Sequence, residues 1–343
     1  MHSAPPPPDA LSRLRAAGEG VHLLSLAWIG VEAGIFDALN HQPATPSTLA
    51  AARGLDPAYA QRWAEAALAF GLVEEDPSGP PWTLRPSAEG ALLCAGQPGL
   101  PLAVGAGLTA HLLGQLPGLM RSGHQPGEVI LGENPAVAPF FGAMLEAGFG
   151  AMLSRAVLPA VSEFSAQLAE GGLVLDLGCG NGWFLRGLLR RFPQARGFGI
   201  DGMDANIADG AARAAAEGLA DRLTLARGDL LPLPATAPPA LICLNRALHH
   251  VWDRRAALLE AIAAALAPGG AVIIWEPAWP ADPRELAAPG RRGLAWNNLA
   301  EHVQGNHLLR PAQIEDALLD AGFCTETTPL PGGDVVIVGR RDR

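Results

Sequence analysis

One stretch limits this chain more than any other: VLDLGCGNG, Val174 to Gly182, in which a short apolar run meets three glycines at alternate positions. The run reads as a buried strand. The glycines at 178, 180 and 182 permit a tight turn at its carboxyl end and let a ligand approach the backbone closely. Similar runs follow in GFGID, LTLARGD, ALICLN, AVIIWEP and DVVIVG, with helical stretches NGWFLRGLLRRF and RRAALLEAIAAAL between the earlier ones. Buried strands alternating with helices predict a mostly parallel, doubly wound sheet over residues 169–343, with its ligand beyond the carboxyl ends of the strands. The acids fall in order along those ends: Asp176 before the glycines, Asp201 ending the next strand, Asp229 ending the third. An acid ahead of the glycines suits a cationic ligand better than a pyrophosphate. At Asp201 a carboxylate can accept both hydroxyls of a ribose, and Asp229 is placed to hold an adenine amino group.

The amino-terminal part has a different period. LLSLAWIGVEAGIFDAL has helical spacing and is apolar on more than one side. TPSTLAAARGL and DPAYAQRWAEAALAFGLV read as two further helices, the second with Asp56 as cap and Pro57 in its first turn. LVEEDPSGPPWTL gives two short strands around a turn, and SAEGALL starts another helix. Helix, helix, helix, hairpin over residues 11–97 is the order of a winged helix. Residues 1–10 are expected to form a disordered leader, and 98–168 a helical linker contributing to a cavity.

All twenty-four positively charged residues are arginines, since the sequence has no lysine. That excludes Walker-type phosphate loops and Schiff-base chemistry. The net charge of -10 disfavours nucleic acid and anionic membranes as partners. The helix 57–70 that would read DNA carries Arg62 beside Glu65, and the wing carries Glu74, Glu75 and Asp76. Four scattered cysteines without a C-x-x-C pattern point to reduced thiols rather than a zinc knot. Apolar stretches broken by Gly, Pro or charge, and a leader without a signal-peptide pattern, predict a cytoplasmic protein with no membrane span.

The glycine loop and the ordered acids resemble the class I S-adenosylmethionine-dependent methyltransferases over residues 166–343. The whole chain resembles the two-domain small-molecule methyltransferases, whose winged-helix domain serves dimerisation. The resemblance implies an α/β, Rossmann-like methyltransferase domain with a mainly helical amino-terminal domain, a homodimer, and S-adenosylmethionine as cofactor. It also implies a cofactor site made of Asp176, Gly178, Gly180, Gly182, Asp201, Gly202, Asp229, Leu230 and Asn245. A homodimer agrees with the apolar run 23–38, which exceeds what a small domain needs for its own core.

After the fourth strand comes RALHHVWD. His249 matches the base of an HDW-x-D pattern in O-methyltransferases, with Asp253 four residues on, but His250 stands where that pattern has an acid. A second imidazole opens a metal site as a possibility, and NNLAEHVQGNHLL, in the insertion after Pro277, offers Glu301 and His302. Alpha-keto acid C-methyltransferases, which are similar in architecture, hold iron or zinc with histidines from these two regions. That resemblance implies His249, His250, Glu301 and His302 as metal ligands. It also implies metal-dependent C-methylation at the beta carbon of a 2-oxo acid, whose carboxylate would pair with Arg121. Two other readings stay open: a metal-free O- or N-methyltransferase with His249 as general base, and a regulatory protein that binds S-adenosylmethionine without transferring its methyl group.

Overall fold

The computed structural model describes residues 9–132, 136–160, 162–234, 237–288 and 290–341. Two compact units divide the chain: Met1–Gln115 with Asn134–Gly148, and Leu116–Glu133 with Phe149–Arg343. The expected linker 98–168 is therefore shared between the units. Residues 1–8 of the expected leader lie outside the described residues, and Ala10 already starts the first helix.

In the first unit, helices Ala10–Glu32, Ile35–His41, Pro46–Arg53 and Pro57–Ala69 precede an antiparallel hairpin of β1 (Val73–Glu75) and β2 (Leu84–Pro86). It is a largely helical region closed by a two-stranded hairpin. The helix starts are where side-chain oxygens can serve the unpaired first N–H groups. Asp56 accepts from Ala58 N–H and Tyr59 N–H ahead of Pro57, and Ser87 accepts from Gly90 N–H. The apolar stretch expected as one helix is interrupted by Gly34, whose φ of 65° separates the first two helices. Its core sets Phe36 edge-on to Trp63, with ring centroids 5.7 Å apart.

The second unit is a seven-stranded sheet in the order β5-β4-β3-β6-β7-β9-β8, with β3 Leu173–Leu177, β4 Arg196–Asp201, β5 Leu223–Arg227, β6 Leu241–Asn245, β7 Ala271–Pro277, β8 Phe323–Pro329 and β9 Asp334–Arg341. The first five of these are parallel, while β9 runs antiparallel to both β7 and β8. Every residue of β7 is buried, as expected of a strand covered on both faces. The order reverses between β3 and β6, so a crevice opens beyond their carboxyl ends, where Asp176, Asn245 and the glycine loop lie.

Helix Leu100–Ser122 corrects the expectation that no apolar stretch reaches membrane-spanning length. It has 23 residues with a mean hydropathy of 1.2 over its best window, enough to cross a membrane by length and composition. Its glycines and the internal Pro117 read as interruptions in the sequence, yet the helix runs through them.

Candidate active site

Asp176 ends up almost wholly buried because β3 is a central strand. Its Oδ1 accepts from Asn245 Nδ2 at 2.8 Å across the β3–β6 pair, and burial pushes the carboxyl up to about 7. Asp176 Oδ2, Asn245 Oδ1 and Asn181 Oδ1 are buried without a hydrogen-bond partner among the described residues. Acceptors left unpaired in a protein interior carry the full cost of their lost hydration. Asp176 and Asn245 touch through their side chains, whereas Asn181 donates its Nδ2 to Asp209.

The glycine loop is packed at two of its glycines, where a Cβ would come within 2.6 Å of Ala247 at Gly178 and 3.0 Å of Leu225 at Gly182, and open at the third. Gly180 has φ 55°, and nothing lies within 4 Å of where a Cβ would stand. Its N–H donates to Asp201 Oδ2 at 2.9 Å. Asp201 Oδ1 accepts from Met203 N–H and Asn206 Nδ2, so one acceptor position of Oδ2 stays available to a ligand hydroxyl. Gly202 also faces open space. Asp229 is gripped by both terminal nitrogens of Arg254 at 2.7 and 2.9 Å, and this guanidinium holds its carboxyl down at about 2. Leu230, next to it, is buried.

A short 3-10 segment, Leu248–Arg254, follows β6. Arg246, just before it, has a left-handed φ of 56°, a strained setting for a side chain. It is fixed by an ion pair to Asp334 at 2.9 Å and by stacking over Phe149 at 4.5 Å. His249 is 4% exposed, and its Nδ1 lies 2.7 Å from Glu276 Oε2. Glu276 Oε1 accepts from Leu248 N–H at 2.8 Å and His249 N–H at 3.4 Å, so one carboxylate orients both the ring and the segment that carries it. Among the described residues His249 Nε2 has no hydrogen-bond partner, and it stands 3.7 Å from Glu301 Oε2. Burial lowers the pKa of His249, but the charge and hydrogen bond of Glu276, with help from Glu301, overcome that and raise it to about 10. Burial raises Glu301, whereas the neighbouring His249, 3.7 Å away, holds it below the usual carboxylate value.

His250 stacks on His249 with ring centroids 4.2 Å apart, and its Nδ1 lies 2.9 Å from both Glu128 Oε1 and Asn306 Nδ2. His249, His250 and Glu301 each present a potential ligand atom within 4.8 Å of the others. His302 is not in that group: its Nδ1 and its carbonyl both receive Gln125 Nε2. Arg121 is exposed and donates to the carbonyl of Pro117 on its own helix.

Glu276, Glu128 and Asn306 were absent from the sequence reading. Glu276 had a signal, a carboxylate inside the otherwise apolar AVIIWEP, because charges are almost never fully buried without a partner. The other two join through pairings 122 and 56 residues apart, for which local sequence gives no sign.

Residues 149–327, just over half the chain, match a family described as a methyltransferase domain. Among curated proteins, the chain is similar to a trans-aconitate 2-methyltransferase of Variovorax paradoxus (strain S110), 40% identical over 114 residues, which are 32% of this chain and 40% of that protein. It is also similar to the aclacinomycin 10-hydroxylase RdmB of Streptomyces purpurascens, 39% identical over 104 residues, 29% of this chain and 27% of that one. The chain thus spans less than half the length of either. Among solved structures, an O-methyltransferase family protein from Burkholderia thailandensis has a TM-score of 0.66 at 20% identity, over 97% of this chain and 98% of its own. Human N-acetylserotonin methyltransferase in complex with SAM has a TM-score of 0.69 at 18% identity, over 100% of both chains. At these identities the structures share the fold.

These findings overturn one expectation, metal-dependent C-methylation of a 2-oxo acid. None of these proteins is named for that chemistry, one is named for O-methyl transfer, and His302, one of the expected ligands, faces Gln125 instead.

Proposed function

The chain belongs to the methyltransferase-domain family, and from that premise we propose that it moves the methyl group of S-adenosylmethionine to an oxygen of a small, neutral molecule, with His249 as general base. The observation that carries this reading is the buried Nε2 of His249, without a hydrogen-bond partner among the described residues, on a ring whose Nδ1 is held by Glu276. Such a carboxylate fixes the tautomer and leaves Nε2 to take a proton. A hydroxyl needs that base to become a nucleophile. A neutral amine already has a free lone pair, so the arrangement favours oxygen over nitrogen.

The cofactor supplies an electrophilic sulfonium methyl. Asp176 and Asn245 would hold its ammonium, the loop at Gly178, Gly180 and Gly182 its methionine part, Asp201 its ribose, and Asp229 with Leu230 its adenine. The acceptor oxygen attacks the methyl carbon, the carbon–sulfur pair leaves with sulfur, and the hydroxyl proton passes to His249 Nε2. Three carboxylates, Glu128, Glu276 and Glu301, surround the two imidazoles, and Arg246 is committed to Asp334. That balance repels a polycarboxylate acceptor and suits a neutral one.

The test is transfer of labelled methyl from S-adenosylmethionine to neutral phenols, with the O-methyl ether identified by mass spectrometry. The donors of His249, His250 and Glu301 would also accept iron or zinc, so the assay is run before and after EDTA with elemental analysis. Transfer that survives metal removal supports the base reading, and transfer lost with the metal and restored by it rejects it. We further propose that Asp201→Ala weakens cofactor binding about tenfold or more, because a charge-assisted ribose contact and the anchor of Gly180 go together. Calorimetric titration measures this, and an unchanged affinity would move the ribose elsewhere.

We also propose that the helical amino-terminal region is a winged helix serving a homodimer. The motivating observation is exposed apolar side chains on its first helix, Leu11, Leu14, Val21 and Ile29. Light scattering of the full chain is expected to give twice the monomer mass at micromolar concentration, and a monomer would contradict the proposal.

A further inference from the structure

His249 and His250 are built alike. Each imidazole has a carboxylate at Nδ1, Glu276 at 2.7 Å for His249 and Glu128 at 2.9 Å for His250, and the two rings stack 4.2 Å apart. A carboxylate only accepts, so in the neutral form of each ring Nδ1 is the protonated nitrogen and Nε2 carries the lone pair. Asn306 has Nδ2 at 2.9 Å from the same Nδ1, and turning its amide over, which exchanges two atoms of nearly equal size, puts the accepting oxygen there instead. The two carboxylates come from unrelated places in the chain: Glu276 from β7 and Glu128 from the loop after helix Leu100–Ser122. A second carboxylate–histidine pair beside the base has no part in taking the proton of a single hydroxyl.

We propose that His250, held by Glu128 and Asn306, is a specificity-determining residue that accepts a hydrogen bond from a second donor on the acceptor, next to the hydroxyl that reacts at His249. This rests on the O-methyl-transfer reading and names its substrate class: molecules with two neighbouring donors, such as an aromatic vicinal diol. The reacting hydroxyl gives up its proton to His249 Nε2 as its oxygen takes the methyl group. The neighbouring donor keeps its proton and its bond to His250 Nε2. Two acceptors on adjacent rings disfavour a mono-hydroxyl analogue, which leaves the half-buried His250 acceptor without the substrate donor that the diol supplies.

The experiment compares 1,2-dihydroxynaphthalene with 2-naphthol on the full-length protein. Wild type is expected to prefer the diol by about tenfold or more in kcat/KM, expressed mainly in KM. His250→Phe and Glu128→Ala should each reduce that preference to about threefold or less, with unchanged S-adenosylmethionine affinity by calorimetry. A structural role would lower both acceptors by the same factor and leave the ratio intact. An unchanged ratio in both variants, or a wild type without preference, overturns the proposal. Diol and naphthol affinities for the protein loaded with S-adenosylhomocysteine are measured in parallel. If no methyl transfer occurs, the O-methylation reading falls, while the binding ratio and its loss in His250→Phe still decide the role of His250.

Discussion

His249→Asn is expected to lower methyl transfer by roughly 10²- to 10⁴-fold, the span that a positioned general base supplies. Asparagine keeps a polar group of similar reach but has no basic nitrogen, so the acceptor hydroxyl must ionise unaided. The proposed adenosyl site uses other strand ends, Asp176, Asp201 and Asp229, so cofactor affinity should change by no more than about twofold. Raising the pH should restore part of the lost rate for phenols of low pKa, because bulk hydroxide then does what the imidazole did. Single-turnover rates across a series of substituted phenols would show it. A variant that keeps nearly full rate on every phenol would remove His249 from the chemistry and with it the proposed mechanism.

Much of the carboxyl-terminal architecture was legible because parallel strands buried on both faces must be continuous apolar runs, and LVLDL, LICLN and AVIIW are such runs. The helix starts at Asp56-Pro57 and Ser87 were legible for a chemical reason, since side-chain oxygens there serve exposed backbone N–H groups. Asp176, Asp201 and Asp229 were legible as acids at or just beyond strand ends, where we propose the cofactor binds. Their engagement was not: the ion pair of Asp229 with Arg254 joins residues whose proximity depends on how the segments after β5 and β6 lie across the sheet.

On the acceptor side the limits are sharper. Glu301 and His302 are neighbours on one helix, about 100° apart, so the sequence could not say which of them meets His249. The packing of helix Arg292–Val303 turns Glu301 toward His249 and His302 toward Gln125. The adjacent histidines suggested shared ligation of a metal. Their carboxylate partners, Glu276 and Glu128, lie 27 and 122 residues away and reveal two separately held rings.

Glu276→Gln should affect rate, pH dependence and stability together, because this one carboxylate bonds the His249 ring and the two backbone N–H groups that start its segment. In the wild type His249 is protonated up to about pH 10 before ligands bind. An imidazolium cannot accept a proton, so kcat/KM for the acceptor is expected to rise with pH above neutrality as that proton leaves. Glutamine removes one of the two charges that hold the proton, which moves the rising limb toward lower pH. It also allows the ring to present the wrong nitrogen, so the plateau rate should drop by roughly 10²-fold or more. The stability signature follows from the same pKa. A histidine raised from 6.5 to about 10 contributes stability that is fully present below pH 6.5 and is lost as pH rises toward 10. Asp176, a buried acid raised from 3.8 to about 7, gives a loss of the same sign in the lower window, between about pH 4 and 7. Breaking the buried His249–Glu276 pair should cost about 3–5 kcal/mol at neutral pH and flatten only the upper window. Denaturant unfolding of wild type and Glu276→Gln at intervals from pH 5 to 10 separates the two. If the variant retains the wild-type slope above pH 7, Glu276 does not hold the His249 proton, and the rising limb of the rate must belong to another group.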